Sequence, residues 1–236
     1  AMRAEAVEAA RTADLVLFIG GLNKTEGQDC EGVDRANMDL PYEQNELISA
    51  MAKVNPNIVV SLISGNAVTM PWIQDIASLV QAWYNGTEAG NALASILFGD
   101  VNPSGKLPFT FPVKLEDNAA IATGGYSTGD FVTYHEGLFV GYRWVDKQKV
   151  KPLFPFGFGL SYTTFAYGKP TIDKKSMSVN ETITVSIPVK NTGKREGKEI
   201  VQLYVSDKKS YLVRPMKELK GCQKVTLAPG EEKVVS

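Results

Sequence analysis

The sequence is poor in the side chains on which many catalytic and metal sites depend. Its 236 residues include one histidine, His135, and two cysteines, Cys30 and Cys222. A lone imidazole excludes multi-histidine metal centres, and it leaves Cys30 without a neighbouring base to activate it as a nucleophile. Two distant thiols without metal-ligand spacing make neither a zinc site nor a disulfide framework. Both are therefore read as free, and His135 as a structural or surface residue. Charge of one sign is also lacking: 25 Lys and Arg stand against 26 Asp and Glu, net −1. This removes the electrostatic basis for a nucleic acid or an anionic membrane as partner. No apolar run approaches the roughly 20 residues of a membrane-spanning helix. What remains is a globular composition, 44% hydrophobic and 22% charged, long enough for two domains.

The chain changes period midway. Residues 4–13 have helical spacing, and 15–19 form an apolar run without polar alternation, the mark of a buried strand. Pro41 suits a first helical turn, so a helix is expected over 41–53. Buried strands are expected at 58–63 and 79–84, a short helix at 71–76, and a helix rich in small residues at 86–98. Repeated β-α-β units imply a mostly parallel sheet covered by helices on both faces. Beyond residue 160 the period is two. Strands are expected at 182–189, 199–205, 217–227 and 232–235, separated by turns such as Asn191-Thr192-Gly193 and Ala228-Pro229-Gly230, which is the pattern of a β-sandwich. The fold class expected is thus α/β plus all-β. The boundaries drawn are 1–112 for the α/β part, 113–160 for an aromatic-rich connector that packs across both domains, and 161–236 for the sandwich. A complete sandwich takes about 100 residues, so this one is expected to be truncated.

One loop concentrates charge. Between the first strand and the helix expected at Pro41 lie about twenty residues, long for a connection in such a fold. They contain Gln28-Asp29-Cys30-Glu31-Gly32-Val33-Asp34-Arg35. The loop leaves the carboxyl end of a strand, the edge where open α/β sheets bind ligands. Taken alone, the stretch reads equally as a solvated surface loop with a local ion pair.

Motifs elsewhere decide between these readings. Glu31-Gly32-Val33-Asp34-Arg35 is followed by Leu40-Pro41 and Gln44, then Asn55-Pro56-Asn57, Met70-Pro71-Trp72 and Ala82-Trp83-Tyr84. Next come Phe98-Gly99-Asp100-Val101-Asn102-Pro103-Ser104-Gly105-Lys106-Leu107-Pro108, Phe139-Val140-Gly141-Tyr142-Arg143 and Pro152-Leu153-Phe154-Pro155-Phe156-Gly157-Phe158-Gly159. Asn191-Thr192-Gly193, Gln202-Leu203-Tyr204-Val205 and Lys217-Glu218-Leu219-Lys220-Gly221 complete the series. In this order they resemble glycoside hydrolase family 3, the exo-acting β-glucosidases, β-xylosidases and their relatives. The resemblance implies the later part of an α/β sandwich domain followed by a fibronectin type III-like domain. It also implies a missing N-terminal barrel as the chain's partner, and export to the periplasm or medium.

The resemblance further implies a retaining mechanism with two carboxyl groups about 5–5.5 Å apart. A barrel aspartate would be the nucleophile, and Glu31 matches the acid/base glutamate. A general acid must stay partly protonated near neutral pH, which burial against a sugar and a second carboxylate favours. Glu26 shares the loop but lacks the Gly-x-Asp-Arg context. Asp29 is a candidate subsite contact. Asp34 and Arg35 are candidates either for sugar contact or for an ion pair that fixes the loop. Trp72, Trp83 and Trp144 are assigned to packing ahead of sugar stacking. The substrate implied is an oligosaccharide or β-glycoside, with glucose ahead of xylose, and no metal or other cofactor is implied. Without the barrel the chain is expected to be inactive alone, and the competing reading is a noncatalytic carbohydrate-binding or scaffolding fragment. A nucleotide-binding domain is disfavoured, because no Gly-x-Gly-x-x-Gly follows a strand.

Overall fold

The computed structural model describes residues 2–127 and 129–236. By packing the chain forms two compact units. One comprises Ala1–Leu93, Phe111–Thr133 and Lys151–Leu153; the other comprises Ala94–Thr110, Tyr134–Val150 and Phe154–Ser236. The units interleave along the chain, whereas the linear reading divides it at 112 and 160. Residues 94–110 pack with the second unit because Asn102 Nδ2 donates to Glu196 O, Leu107 N to Phe158 O, and Lys106 pairs with Glu199 at 3.2 Å.

The first unit is built on helix α1 (Met2–Thr12), strand β1 (Val16–Gly21), helix α2 (Gln44–Val54) and strands β2 (Ile58–Ile63) and β3 (Ser78–Gln81). The strands run parallel in the order β1-β2-β3, with Val16 opposite Ile58 and Val59 opposite Ser78. In the central strand, β2, Ile58, Val60, Ser61 and Leu62 are fully buried, as a strand covered on both faces requires. Asn55-Pro56-Asn57 has a structural role here. Asn55 Nδ2 donates to Ala10 O and Ala13 O, partnering carbonyls left free at the end of α1. Asn57 Nδ2 donates to Asp14 O and Asn57 O accepts from Val16 N, which ties the entry of β1 to that of β2.

Two sequence expectations are corrected in this unit. The second helix does not start at Pro41: residues 41–43 form a turn with Tyr42 and Glu43 at positive φ, and α2 begins at Gln44. Gln44 is drawn into the sheet edge, accepting from Gly21 N and donating to Gly21 O and Pro41 O. Residues 71–76 make turns closed by Ile73 N to Met70 O and Asp75 N to Trp72 O, with no helix. The fully buried Trp72, whose Nε1 donates to Asn45 Oδ1 at 2.8 Å, anchors them.

Later elements are helix α3 (Ala89–Leu97), a 3-10 turn (Leu115–Asp117), and helices α4 (Ala119–Ala122) and α5 (Tyr142–Gln148). The second unit then adds β4 (Phe165–Tyr167), β5 (Thr171–Ile172), β6 (Val185–Asn191), β7 (Gly197–Val205), β8 (Glu218–Leu227) and β9 (Glu232–Val235). β4, β5 and β9 pair antiparallel with β6, and β7 pairs with β8 across a register shift at Leu203/Tyr204. Val189, Leu227 and Val235 form the core, with Phe165, Ile187, Val201 and Val225 packed around them. Asn191 is fully buried and fully bonded. Its Oδ1 accepts from Thr163 Oγ1 and Gly193 N, and its Nδ2 donates to Arg195 O and Leu227 O. The Asn-Thr-Gly turn therefore doubles as a polar bolt inside the sandwich. The fold class expected from the sequence, α/β followed by all-β, is the one observed.

Candidate functional site

Because β1 and β2 are parallel, the loops that follow them emerge at the same edge of the sheet. The loop after β1, residues 22–43, is folded on itself. Leu22 N bonds to Ile63 O, extending the sheet pairing by one residue. Asn23 Oδ1 then accepts from Thr25 N, and Asn23 O accepts from Asp29 N. The buried Gln28 side chain accepts from Asn23 N and donates to Tyr42 OH, closing the bend. Further on, Met38 O accepts from Thr69 N and Leu40 is buried.

Asp29 is the most heavily engaged acid of the loop. Its Oδ2 accepts from Gly65 N at 2.7 Å and from Tyr84 OH at 3.0 Å, and Arg35 Nε stands 3.8 Å from its Oδ1. The Asp29 and Arg35 side chains are only 8% and 13% exposed. Arg35 Nη2 also donates to Ala67 O at 2.8 Å. The ion pair of this loop thus joins Arg35 to Asp29, where the sequence reading paired Arg35 with Asp34. Asp34 accepts instead from Tyr126 OH, a bond that raises the phenol's pKa. At Tyr84, burial first and then the bond to Asp29 push the phenol up to about 12.

Glu31 stands apart from these bonds. It is exposed, and among the described residues its carboxylate has no hydrogen-bond or ion-pair partner. The next residue, Gly32, has φ +84, a conformation open to glycine and strained for other residues. Cys30 Sγ, 3.5 Å from Val33 O, spans the same bend. Glu26 is exposed on the earlier part of the loop.

The structure therefore brings Asp29 and Arg35 together, sets Glu31 and Asp34 in solvent, and adds Gly65, Tyr84 and Tyr126, which sequence reasoning did not assign to the site. The signals for two of them were visible: Gly65 lies just past an apolar strand, and Tyr84 closes Ala82-Trp83-Tyr84. Trp83, between β3 and Tyr84, has φ +56, a sparsely populated conformation for a bulky residue. Its ring meets Phe111 edge-on at 6.1 Å. Trp72 is fully buried, in keeping with a packing role, and Trp144 is half-buried in α5. His135 is exposed, and both cysteines are free. Among the described residues no cluster of His, Cys, Asp and Glu could hold a metal ion, and no helix is long and apolar enough to cross a membrane. A groove along α2, between Asn45, Lys53 and Pro71, does not include Glu31.

Comparison with known proteins gives consistent findings. Residues 1–162 match the model of the glycosyl hydrolase family 3 C-terminal domain, and residues 199–236 match that of the fibronectin type III-like domain. The chain is 56% identical to the β-glucosidase BoGH3A of Bacteroides ovatus, over 99% of this chain and 32% of that protein. It is 52% identical to thermostable β-glucosidase B of Acetivibrio thermocellus, over 98% of this chain and 30% of the relative. The solved structure of DesR, a β-glucosidase from Streptomyces venezuelae in complex with D-glucose, matches with a TM-score of 0.91 and 42% identity. That match covers 99% of this chain and 29% of DesR. The chain thus spans about a third of the length of the curated relatives it matches.

Proposed function

The chain belongs to glycosyl hydrolase family 3, and from that premise we propose that Glu31 is the general acid/base of a retaining β-glucosidase of which these residues form part. The observation that carries this reading is the contrast within one loop. Its neighbours Asp29 and Arg35 are committed to protein partners, while Glu31, on the loop that leaves the carboxyl end of β1, is exposed and without a partner among the described residues. In the first step Glu31 protonates the glycosidic oxygen as a second carboxylate attacks the anomeric carbon. In the second it takes a proton from the water that releases the sugar. The second carboxylate is supplied from outside these 236 residues. The substrate is a terminal, non-reducing β-linked glucose, in line with relatives that are themselves β-glucosidases. Asp34, exposed on the same bend and accepting from Tyr126 OH, is proposed as a contact for a sugar hydroxyl.

The test is Glu31→Ala in the full-length protein. Turnover of a β-linked disaccharide should fall by roughly a hundredfold or more, the range of general acid–base catalysis. The value of kcat/KM for an aryl glucoside with a good leaving group should fall far less. Full activity on the disaccharide would remove Glu31 from the reaction.

A further inference from the structure

Asp29 lies two residues before Glu31, and from sequence it is a candidate sugar contact. Its surroundings assign it other work. We propose that Asp29 is a positioning residue that holds Glu31 in place for proton transfer, by fastening the loop to the ends of β2 and β3. The proposal rests on the acid/base reading of Glu31.

Three observations converge on it. First, Asp29 Oδ2 takes both a backbone N–H, from Gly65 at 2.7 Å, and the Tyr84 hydroxyl, at 3.0 Å. Hydrogen bonds to an ionised acceptor are about twice as strong as neutral ones. Second, Arg35, on the other side of Glu31, bonds to Ala67 O. Residues 30–34 therefore form an arch whose feet, Asp29 and Arg35, stand on the same short segment after β2. Third, the feet face each other: Arg35 Nε is 3.8 Å from Asp29 Oδ1, and both side chains are nearly buried. With both acceptor sites of Oδ2 taken, a sugar hydroxyl could bond to it only by displacing Gly65 N or the Tyr84 hydroxyl. Glu31 and Asp34, on top of the arch, are exposed.

At 3.8 Å the Arg35–Asp29 contact is too long for a hydrogen bond. Asp29 Oδ1 and Arg35 Nη1 are also buried without hydrogen-bond partners. The arch thus has bonding capacity left between its feet, and the height of Glu31 depends on how they are held. A misplacement of about 1 Å in a catalytic group can cost roughly a hundredfold in rate.

The experiment uses the full-length protein and two substrates, an alkyl β-glucoside that needs its leaving group protonated and 2,4-dinitrophenyl β-glucoside, which does not. For Asp29→Ala, kcat/KM on the alkyl glucoside should fall by roughly thirtyfold to a hundredfold, and on the dinitrophenyl glucoside by about threefold or less. Asp29→Asn, which keeps an acceptor for Gly65 and Tyr84, should recover part of the loss. Tyr84→Phe, which removes one hydroxyl, should show the same selectivity at smaller size. Equal losses on both substrates in Asp29→Ala and Tyr84→Phe would make these residues sugar-binding or merely structural and overturn the proposal. So would unchanged activity in Asp29→Ala. Glu31→Ala run in parallel separates the two readings: if it too loses equally on both substrates, the acid/base assignment has failed, whatever Asp29 does.

Discussion

The hydroxyl of Tyr84, just past the end of β3, donates to Asp29 Oδ2 at 3.0 Å, across 55 residues of sequence. One phenol thereby fixes the loop that carries Glu31 to the third strand of the sheet. Tyr84 can do this only while it is protonated, so the bond has a pH limit.

Burial and Asp29 raise the Tyr84 pKa from 10.0 to about 12. A group whose pKa is raised on folding stabilises the fold fully below its unfolded pKa, and that contribution is lost as pH rises through the folded one. The contribution of Tyr84 should therefore be constant up to about pH 10 and disappear between pH 10 and about 12. Ultraviolet titration of wild type against Tyr84→Phe should show one tyrosine missing from the latest-ionising group. Denaturation midpoints of the two proteins should converge over the same window. A missing tyrosine that titrates near pH 10 would contradict the hydrogen bond.

At Gly65 the constraint is steric. A methyl group there would lie 3.2 Å from the Tyr84 ring and 3.3 Å from Asp29 Oδ2. Gly65→Ala should force Tyr84 or Asp29 aside and destabilise the protein by about 1 kcal/mol, the lower end for overpacking. Urea denaturation measures the stability. In the same variant, kcat/KM on an alkyl glucoside should fall more than on the dinitrophenyl glucoside.

Asn191 offers a prediction remote from the site. Asn191→Ala leaves Thr163, Arg195 and Leu227 without the side-chain partner they have in the sandwich core. Unsatisfied buried polar groups cost about 1–3 kcal/mol each. The variant should lose about 3 kcal/mol, read as a lower urea midpoint, and Asn191→Asp, which turns a buried carboxylate oxygen on the carbonyls of Arg195 and Leu227, should not restore it at neutral pH.

How far the sequence disclosed this arrangement depends on the range of the interactions. Strands 58–63 and 232–235 are found where expected, because an apolar run bounded by turn residues carries its own limits. β1 extends past the expected 15–19 to Gly21, since pairing with Leu62 and Ile63, absent from local pattern, holds Gly20 and Gly21 in the strand. β4 and β5 are two or three residues long, too short to show a period. α5 lay inside what reads as a connector. Glu31 was singled out by motif order, and its exposure could not be read from that order. The partners of Asp29, 36 and 55 residues away, are set by parallel strand register, which no local pattern encodes. The local Asp34-Arg35 pair was the natural expectation for the same reason. Adjacent opposite charges look like partners until the fold offers each a better one, here Tyr126 and Asp29.

The most direct test of the central claim is the product that Glu31→Ala forms, in the full-length protein, from dinitrophenyl β-glucoside and azide. An acid/base variant still makes the covalent glucosyl-enzyme, and azide, which needs no base, then attacks it from the face water would use. Nuclear magnetic resonance should therefore identify β-glucosyl azide, with turnover rising as azide is added. Formation of α-glucosyl azide would make Glu31 the nucleophile, and no response to azide would leave it outside the chemistry; either result contradicts the assignment.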